Sequence, residues 1–256
     1  MLFSAFLASI AGNSWPEWRD NEVNAIGKAM KAGILRADPS YLDLLNSFAL
    51  RDTAIALGYY LLILVVYYIL GWVKATSGEY YGVPASIALM LIPVLICRRT
   101  SALGLSKRNL KPSLIVSGII GILFLLVTTV IPGILSHAKL LPLKEFAANI
   151  FYFFIIIGLS EEISFRGYIQ PRLFPLVKRE WLAILLGGVL FVFMHYPYQM
   201  AARNMSFTGY WPHFIANVPF QFLWHLVFTG LYRRYGNIYG STLLHGCVDM
   251  SMGIFT

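Results

Sequence analysis

Three long stretches of the sequence contain no charged residue: residues 53–73, 80–97 and 112–136. A helix needs about 20 consecutive apolar residues to cross the hydrocarbon core of a bilayer, and each stretch reaches or approaches that length. Over the 256 residues, 58% are hydrophobic and only 12% are charged, against a usual charged share of roughly 25%. This composition excludes a soluble domain and a disordered chain, and two cysteines are too few for a disulfide framework.

Four further apolar segments continue the pattern, at residues 147–170, 181–198, 214–232 and 237–256. They are joined without an internal repeat or a low-complexity linker. We therefore predict an all-α, polytopic membrane helix bundle with about seven transmembrane helices, in which residues 53–256 form one integral membrane domain.

Residues 1–52 precede the first predicted span and mix apolar with polar residues. Over residues 23–34 the apolar residues recur every three or four positions, which is typical of an amphipathic helix. A second short stripe runs over residues 41–48, after Asp38, a helix-capping residue type, and Pro39, which suits the first helical position. We predict that this N-terminal segment forms interfacial helices on the membrane surface.

Basic residues concentrate in every second loop, and this asymmetry predicts the orientation of the bundle. The loops after the second, fourth and sixth predicted spans contain Arg98, Arg99, Lys107, Arg108, Lys111, Arg172, Lys178, Arg179, Arg233 and Arg234. The intervening loops contain only Lys74, Lys139, Lys144 and Arg203. By the positive-inside rule, the N-terminus and the basic loops are cytoplasmic. The net charge of +8 is then a topology signal, and no nucleic-acid partner is expected.

Polar residues with possible chemical roles are confined to the last four predicted spans. An ionisable side chain at the bilayer centre costs roughly 2.5–3.5 kcal/mol on insertion scales, so such residues persist where they are paired or line a cavity. At 1.5 Å per helical residue, four of them lie roughly 12–21 Å from the cytoplasmic ends of their spans. These predicted catalytic residues are Glu161, His195, His245 and Asp249. We expect them to meet in one polar cavity.

The spacing of these residues indicates which of them interact. Glu162 and Arg166 are four residues apart, in the favourable order for an ion pair within a helix. Glu161 is then left free to act as a general base. His245 and Asp249 are also four residues apart, and an aspartate at this spacing can fix the tautomer of the imidazole.

Two neighbouring residues have weaker claims to the site. Phe191 precedes His195 by four residues, so its ring is expected to pack beside the imidazole. His225 in the sixth predicted span is either a packed, hydrogen-bonded histidine or a secondary member of the site. The four predicted catalytic residues leave a divalent metal open, but the HExxH pattern of zinc proteases is absent. We predict neither a metal nor another cofactor.

Three motifs in this region resemble those of the CPBP, or Abi, intramembrane proteases, a family that includes the type II CAAX prenyl endopeptidases. Glu161–Gly167 reads EEISFRG and resembles the family motif EExxxR. Phe191–His195 reads FVFMH and resembles FxxxH, and His245–Asp249 reads HGCVD and resembles HxxxN/D. The resemblance covers about residues 147–250, and the three motifs occur in the family's order.

The resemblance implies a glutamate-dependent endopeptidase that works inside the membrane without a catalytic metal. Glu161 matches the glutamate that activates water, and His195 matches the histidine that assists this glutamate. His245 and Asp249 match the pair assigned to stabilising the oxyanion, although some members have Asn at the last position. An amide donates a hydrogen bond to an oxyanion and an ionised carboxylate does not. The structural positions of the first motif are matched by Glu162 and Arg166.

The resemblance leaves the substrate open. A membrane-associated protein or lipopeptide is expected, cleaved near a membrane-embedded or lipidated tail, and the options are a prenylated CAAX tail, a C-terminal sorting anchor and a bacteriocin precursor. The position of Glu161, nearer the cytoplasmic end of its span, favours access from the cytosol. Two other functions stay open: a transporter or proton relay built on the buried acids and histidines, and a non-catalytic immunity protein on the same fold.

Overall fold

Eight helices follow one another in the computed structural model, which describes residues 36–97 and 99–255. They are α1 (Pro39–Asn46), α2 (Leu50–Ser77), α3 (Gly82–Ile96), α4 (Leu110–Leu135), α5 (Leu143–Val177), α6 (Glu180–Ala202), α7 (Phe207–Tyr235) and α8 (Tyr239–Met250). These residues contain no β-strand, which confirms the predicted all-α class. The amphipathic stripe predicted at residues 23–34 lies outside the described residues.

Each of the seven predicted spans corresponds to one helix, from α2 to α8. Five of these helices, α2 and α4 to α7, are long and apolar enough to cross a membrane. The other two are shorter, with 15 residues in α3 and 12 in α8. A 12-residue helix rises only about 18 Å, against a hydrocarbon core of about 30 Å. A count of seven crossing helices is therefore not confirmed.

Contacts between the loops define two ends of the bundle. At one end, the backbone N–H of Asp38 donates to the carbonyl of Arg233 at 2.8 Å, and the side chain of Asn109 donates to the carbonyl of Tyr235 at 3.2 Å. Arg172 lies at the same end, where it donates to Cys97 Sγ at 3.1 Å. The loops that the sequence predicts to lie on one side of the membrane thus meet here. We call this the basic end.

The opposite end collects the remaining loops. The hydroxyls of Tyr80, before α3, and Tyr152, on α5, lie 2.5 Å apart. Beyond α8 the chain continues as turns to Phe255, which forms a β-bridge with Leu140 in the loop before α5. The chain therefore passes from the basic end at the start of α8 to the opposite end near its last residues. The helices alternate in direction as the sequence predicts.

Helix α5 packs against α1, α2, α3, α6 and α8, and α6 and α8 carry the other two motifs. Its passage past the basic end depends on Gly167, because a Cβ atom there would lie 2.5 Å from the backbone oxygen of Leu103. Near the opposite end, α8 approaches α5 at Gly246, where a Cβ atom would lie 2.5 Å from the ring of Phe154. Glycine at position 246 permits the close contact between α5 and α8 that brings the first and third motifs together.

Helix α1 begins at the capping sequence that the residues predict. The Asp38 carboxylate accepts hydrogen bonds at 2.9 Å from the backbone N–H of Ser40, from Arg108 Nε and from Asn109 Nδ2. Burial by itself raises the pKa of Asp38. The hydrogen bonds from Ser40 and Arg108 outweigh it, so the pKa lies below the ordinary value of 3.8. This carboxylate joins α1 to the loop between α3 and α4.

Replacing Asp38 by Ala is expected to lower the free energy of unfolding by about 1–2 kcal/mol, as for other helix caps. The contribution is fully present above the unfolded pKa and is lost as the pH falls through the lower folded pKa, because protonation removes the acceptor. The measurement is unfolding in mixed micelles at pH 7 and near pH 3. Asp43→Ala on the exposed face of the same helix is the control. An equal effect of both variants at pH 7 contradicts the prediction.

Candidate active site

Glu161 lies in α5 between two stretches of π-helix, Tyr152–Leu159 and Ile163–Ile169. Such widened turns are frequent at functional sites. The side chain is largely buried, with 8% of the residue exposed. Among the described residues its Oε2 atom accepts no hydrogen bond. His245 Nε2 faces this oxygen at 3.7 Å, which is an ion-pair distance rather than a hydrogen bond.

A cavity of about 170 Å³ lies against this carboxylate. Glu161 on α5 and His195 on α6 both line it. The other residues of its wall are Tyr67, Leu70, Tyr80, Gly82, Ser86, Tyr152, Ile157, Tyr198 and Gln199. A water molecule occupies about 30 Å³ in the liquid, so the cavity has room for several waters or for a short piece of peptide.

The imidazole of His195 is oriented by the residue one helical turn before it. Nδ1 lies 2.9 Å from the backbone oxygen of Phe191 and therefore carries the proton of the neutral ring. Nε2 is then an acceptor. The Phe191 ring packs against the imidazole edge-on, with the centroids 5.2 Å apart. The predicted contact between these two residues is present, and the carbonyl of Phe191 adds a second constraint on the histidine.

His245 is not part of the cavity wall and lies within a cluster of three carboxylates. Its Nδ1 is 3.0 Å from Glu162 Oε1. Its Nε2 is 3.5 Å from Asp249 Oδ2 and 3.7 Å from Glu161 Oε2. The ring stacks on Phe228, with centroids 4.6 Å apart. Both nitrogens face carboxylate oxygens, which is the environment of an imidazole that donates from both sides.

The predicted ion pair between Glu162 and Arg166 is present, at 3.0 Å, and both side chains are completely buried. The guanidinium also lies over the ring of Phe191, with 4.2 Å between its carbon and the ring centroid, and it donates to His225 Nδ1 at 3.3 Å. His225 Nε2 in turn donates to the carbonyl of Ile184 at 3.1 Å. His225 is thus a packed, hydrogen-bonded histidine that supports Arg166.

The structure brings the four predicted catalytic residues together in two layers rather than in one cavity. Glu161 and His195 line the cavity, whereas His245 and Asp249 are absent from its wall. The sequence predicted one shared cavity because the four residues lie at similar depth along their spans. The side of Glu161 on which each one lies depends on how α5, α6 and α8 pack. Within the described residues, no group of three or more His, Cys, Asp or Glu side chains is arranged to hold a metal ion.

Sequence reasoning missed part of the site. The motifs and spacings did not point to any tyrosine, but Tyr67, Tyr80, Tyr152 and Tyr198 line the cavity. It also missed Gln199, which lines the cavity and accepts a hydrogen bond on Oε1 from the Tyr210 hydroxyl. One signal was available, because Gln199 follows His195 by four residues and so shares its helix face.

Comparison with known proteins supports the resemblance seen in the motifs. Residues 143–251 match the family model described as Rce1-like, type II CAAX prenyl endopeptidase. The matched region contains all three motifs, so the resemblance is confirmed for the part of the chain that carries them. The comparisons with curated proteins and with solved structures found no match.

Proposed function

We propose that this chain, whose residues 143–251 match the type II CAAX prenyl endopeptidases, is an intramembrane endopeptidase in which Glu161 activates the attacking water. The observation that carries the proposal is the position of the Glu161 carboxylate, which lines a cavity with room for water together with His195. The helices suited to crossing a membrane make it an integral membrane protein. Its partner is a membrane-associated protein or lipopeptide substrate.

In the proposed reaction, Glu161 accepts a proton from water as the water oxygen bonds to the carbonyl carbon of the peptide. His195 accepts a hydrogen bond from the same water on its unprotonated Nε2. The carbonyl electron pair moves to oxygen and gives a tetrahedral oxyanion. When the C–N bond breaks, Glu161 returns the proton to the departing amine. The products are a carboxylic acid and an amine, and Glu161 is restored to its starting state.

In the proposed reaction, His245 acts through its contact with the carboxylate of Glu161. The 3.7 Å between His245 Nε2 and Glu161 Oε2 supports a role in orienting and stabilising the carboxylate. The contact between His245 Nδ1 and Glu162 holds the imidazole in place. Asp249, close to the same nitrogen, acts through His245 in this scheme, which agrees with its position outside the cavity wall. A protonated imidazole next to Glu161 offsets the negative charge of the cluster.

The first experiment compares the membrane proteomes of cells that express the wild-type protein and Glu161→Ala. New peptide termini are identified by mass spectrometry after both proteins are shown to be inserted at equal levels. We expect termini that depend on the wild-type protein and are absent with Glu161→Ala. Identical sets of termini would contradict the peptidase function. A wild-type-specific terminus also supplies a peptide substrate for kinetic assays.

Gln199 is expected to donate a hydrogen bond to the oxyanion. Gln199 lines the cavity, and because its Oε1 accepts from the Tyr210 hydroxyl, its NH₂ group is the part of the amide that can donate to substrate. Gln199→Leu should lower kcat about tenfold with little change in KM, because one neutral hydrogen bond is worth about 0.5–1.5 kcal/mol and this one forms fully only in the transition state. The assay uses a peptide that spans the mapped cleavage site.

Tyr210→Phe is the matched control for this prediction. It removes the same hydrogen bond between the two side chains but leaves the amide donor of Gln199 in place. We expect a smaller loss of kcat than with Gln199→Leu. If the two variants lose kcat equally, Gln199 acts only by holding α6 against α7, and its proposed contact with the oxyanion is wrong.

A further inference from the structure

We infer that substrates reach Glu161 from the end of the bundle opposite the basic loops, which the positive-inside rule makes the outer face of the membrane. The inference rests on the proposed function, since it concerns access to the same catalytic glutamate. It reverses the expectation from depth along the sequence, which favoured access from the cytosol.

The residues of the cavity wall come from helix termini at the opposite end. Leu70 lies in the last third of α2, and Gly82 is the first residue of α3. Tyr198 and Gln199 lie in the last turns of α6, before Ala202. Tyr80 lies in the loop between α2 and α3. The cavity therefore extends from Glu161 and His195 toward the loops of the opposite end.

On the basic side of Glu161 the bundle is filled. The part of α5 that follows the glutamates buries large side chains of which 3% or less is exposed: Ile163, Phe165, Tyr168, Ile169 and Leu173. Tyr59 and Tyr60 of α2 pack edge-on against two of these rings. The small void that touches Glu161 here measures about 10 Å³, which is room for one water at most. A peptide coming from the basic end would have to displace a packed core.

At the opposite end the barrier is thin. Tyr80 is 44% exposed, and its hydroxyl meets that of Tyr152 across the wall of the cavity at 2.5 Å. Rotation of two side chains and the loss of one hydrogen bond widen the opening. Side-chain rotations of this kind are fast and cost little compared with opening a core.

The direction of access selects among the substrate classes. A prenylated tail on a cytoplasmic protein presents its peptide bond at the basic end. A membrane-anchored protein with its cleavable segment on the outer face, such as one with a C-terminal sorting anchor, presents it at the opposite end. The geometry favours the second class.

Site-directed labelling tests the inference directly. In a Cys97→Ala/Cys247→Ala background, which must first be shown to cleave, one cysteine is placed at Tyr80 and, in a control variant, at Ser101 on the exposed basic end. A membrane-impermeant maleimide is added to intact cells. We expect Tyr80→Cys to be labelled from outside and Ser101→Cys only after the membrane is opened. The reverse pattern would overturn the assignment of the opposite end to the outer face.

The same two variants test the route itself. A bulky maleimide on Tyr80→Cys is expected to reduce cleavage at least tenfold relative to the same variant unlabelled, whereas the label on Ser101→Cys leaves cleavage unchanged. Cleavage that survives full labelling of Tyr80→Cys would overturn the inferred route and leave the peptidase function intact. If the wild-type protein produces no new termini, the proposed function fails, and the inferred route fails with it.

Discussion

Glu161→Gln is expected to lower the rate of peptide cleavage by about a hundredfold to ten-thousandfold while the protein stays folded. Glutamine keeps the shape of the side chain but cannot accept the proton of the attacking water, and general-base catalysis typically contributes 10²–10⁴-fold. The fold should tolerate the change, because among the described residues Glu161 Oε2 accepts no hydrogen bond that holds the helices together. The measurement is cleavage of the mapped peptide by purified protein in lipid vesicles, with unfolding followed in parallel.

Glu145→Gln is the matched control on the same helix. Glu145 is exposed in the first turn of α5 and lies outside the cavity wall, so its replacement should leave both cleavage and folding at wild-type levels. If Glu161→Gln retains more than about a tenth of the wild-type rate, another group activates the water. A loss of activity together with unfolding would instead make Glu161 a structural residue.

The local part of the site could be predicted from the sequence because it depends on helical periodicity. Residues four apart share a face, which predicted the pair formed by Glu162 and Arg166 and the proximity of His245 to Asp249. The capping of α1 by Asp38 is another short-range feature, and it too is confirmed. These interactions require only that the segment be helical.

The remaining features depend on contacts between distant helices, which periodicity does not specify. The sequence paired Glu162 with Arg166 alone, but in the structure Glu162 also holds His245, 83 residues further along the chain. The length of α8 was overestimated because the apolar run to the last residue hides the turns that begin at Ser251. The cavity wall formed by tyrosines was missed because tyrosines in spans are also common at membrane interfaces.

The second large effect is expected on stability, when the buried ion pair between Glu162 and Arg166 is broken. Replacing Arg166 by Met is expected to lower the free energy of unfolding by about 3–5 kcal/mol, because it leaves the carboxylate of Glu162 fully buried without its guanidinium. His245 is the next cation that can face this carboxylate, and Glu161 and Asp249 compete for it. The measurement is unfolding in mixed micelles titrated with sodium dodecyl sulfate.

A double-mutant cycle separates the lost charge pair from lost packing, since Arg166 also lies over the Phe191 ring. Glu162→Gln/Arg166→Met removes both charges, so it should be more stable than Arg166→Met alone, with a coupling of at least about 1 kcal/mol. Glu180→Gln breaks a partly buried, bidentate pair with Arg233 and should cost less than Arg166→Met, because water reaches both side chains. If the double variant is no more stable than Arg166→Met, the arginine acts by filling space between the aromatic rings. The buried charge pair would then not be what orders His245 behind the catalytic glutamate.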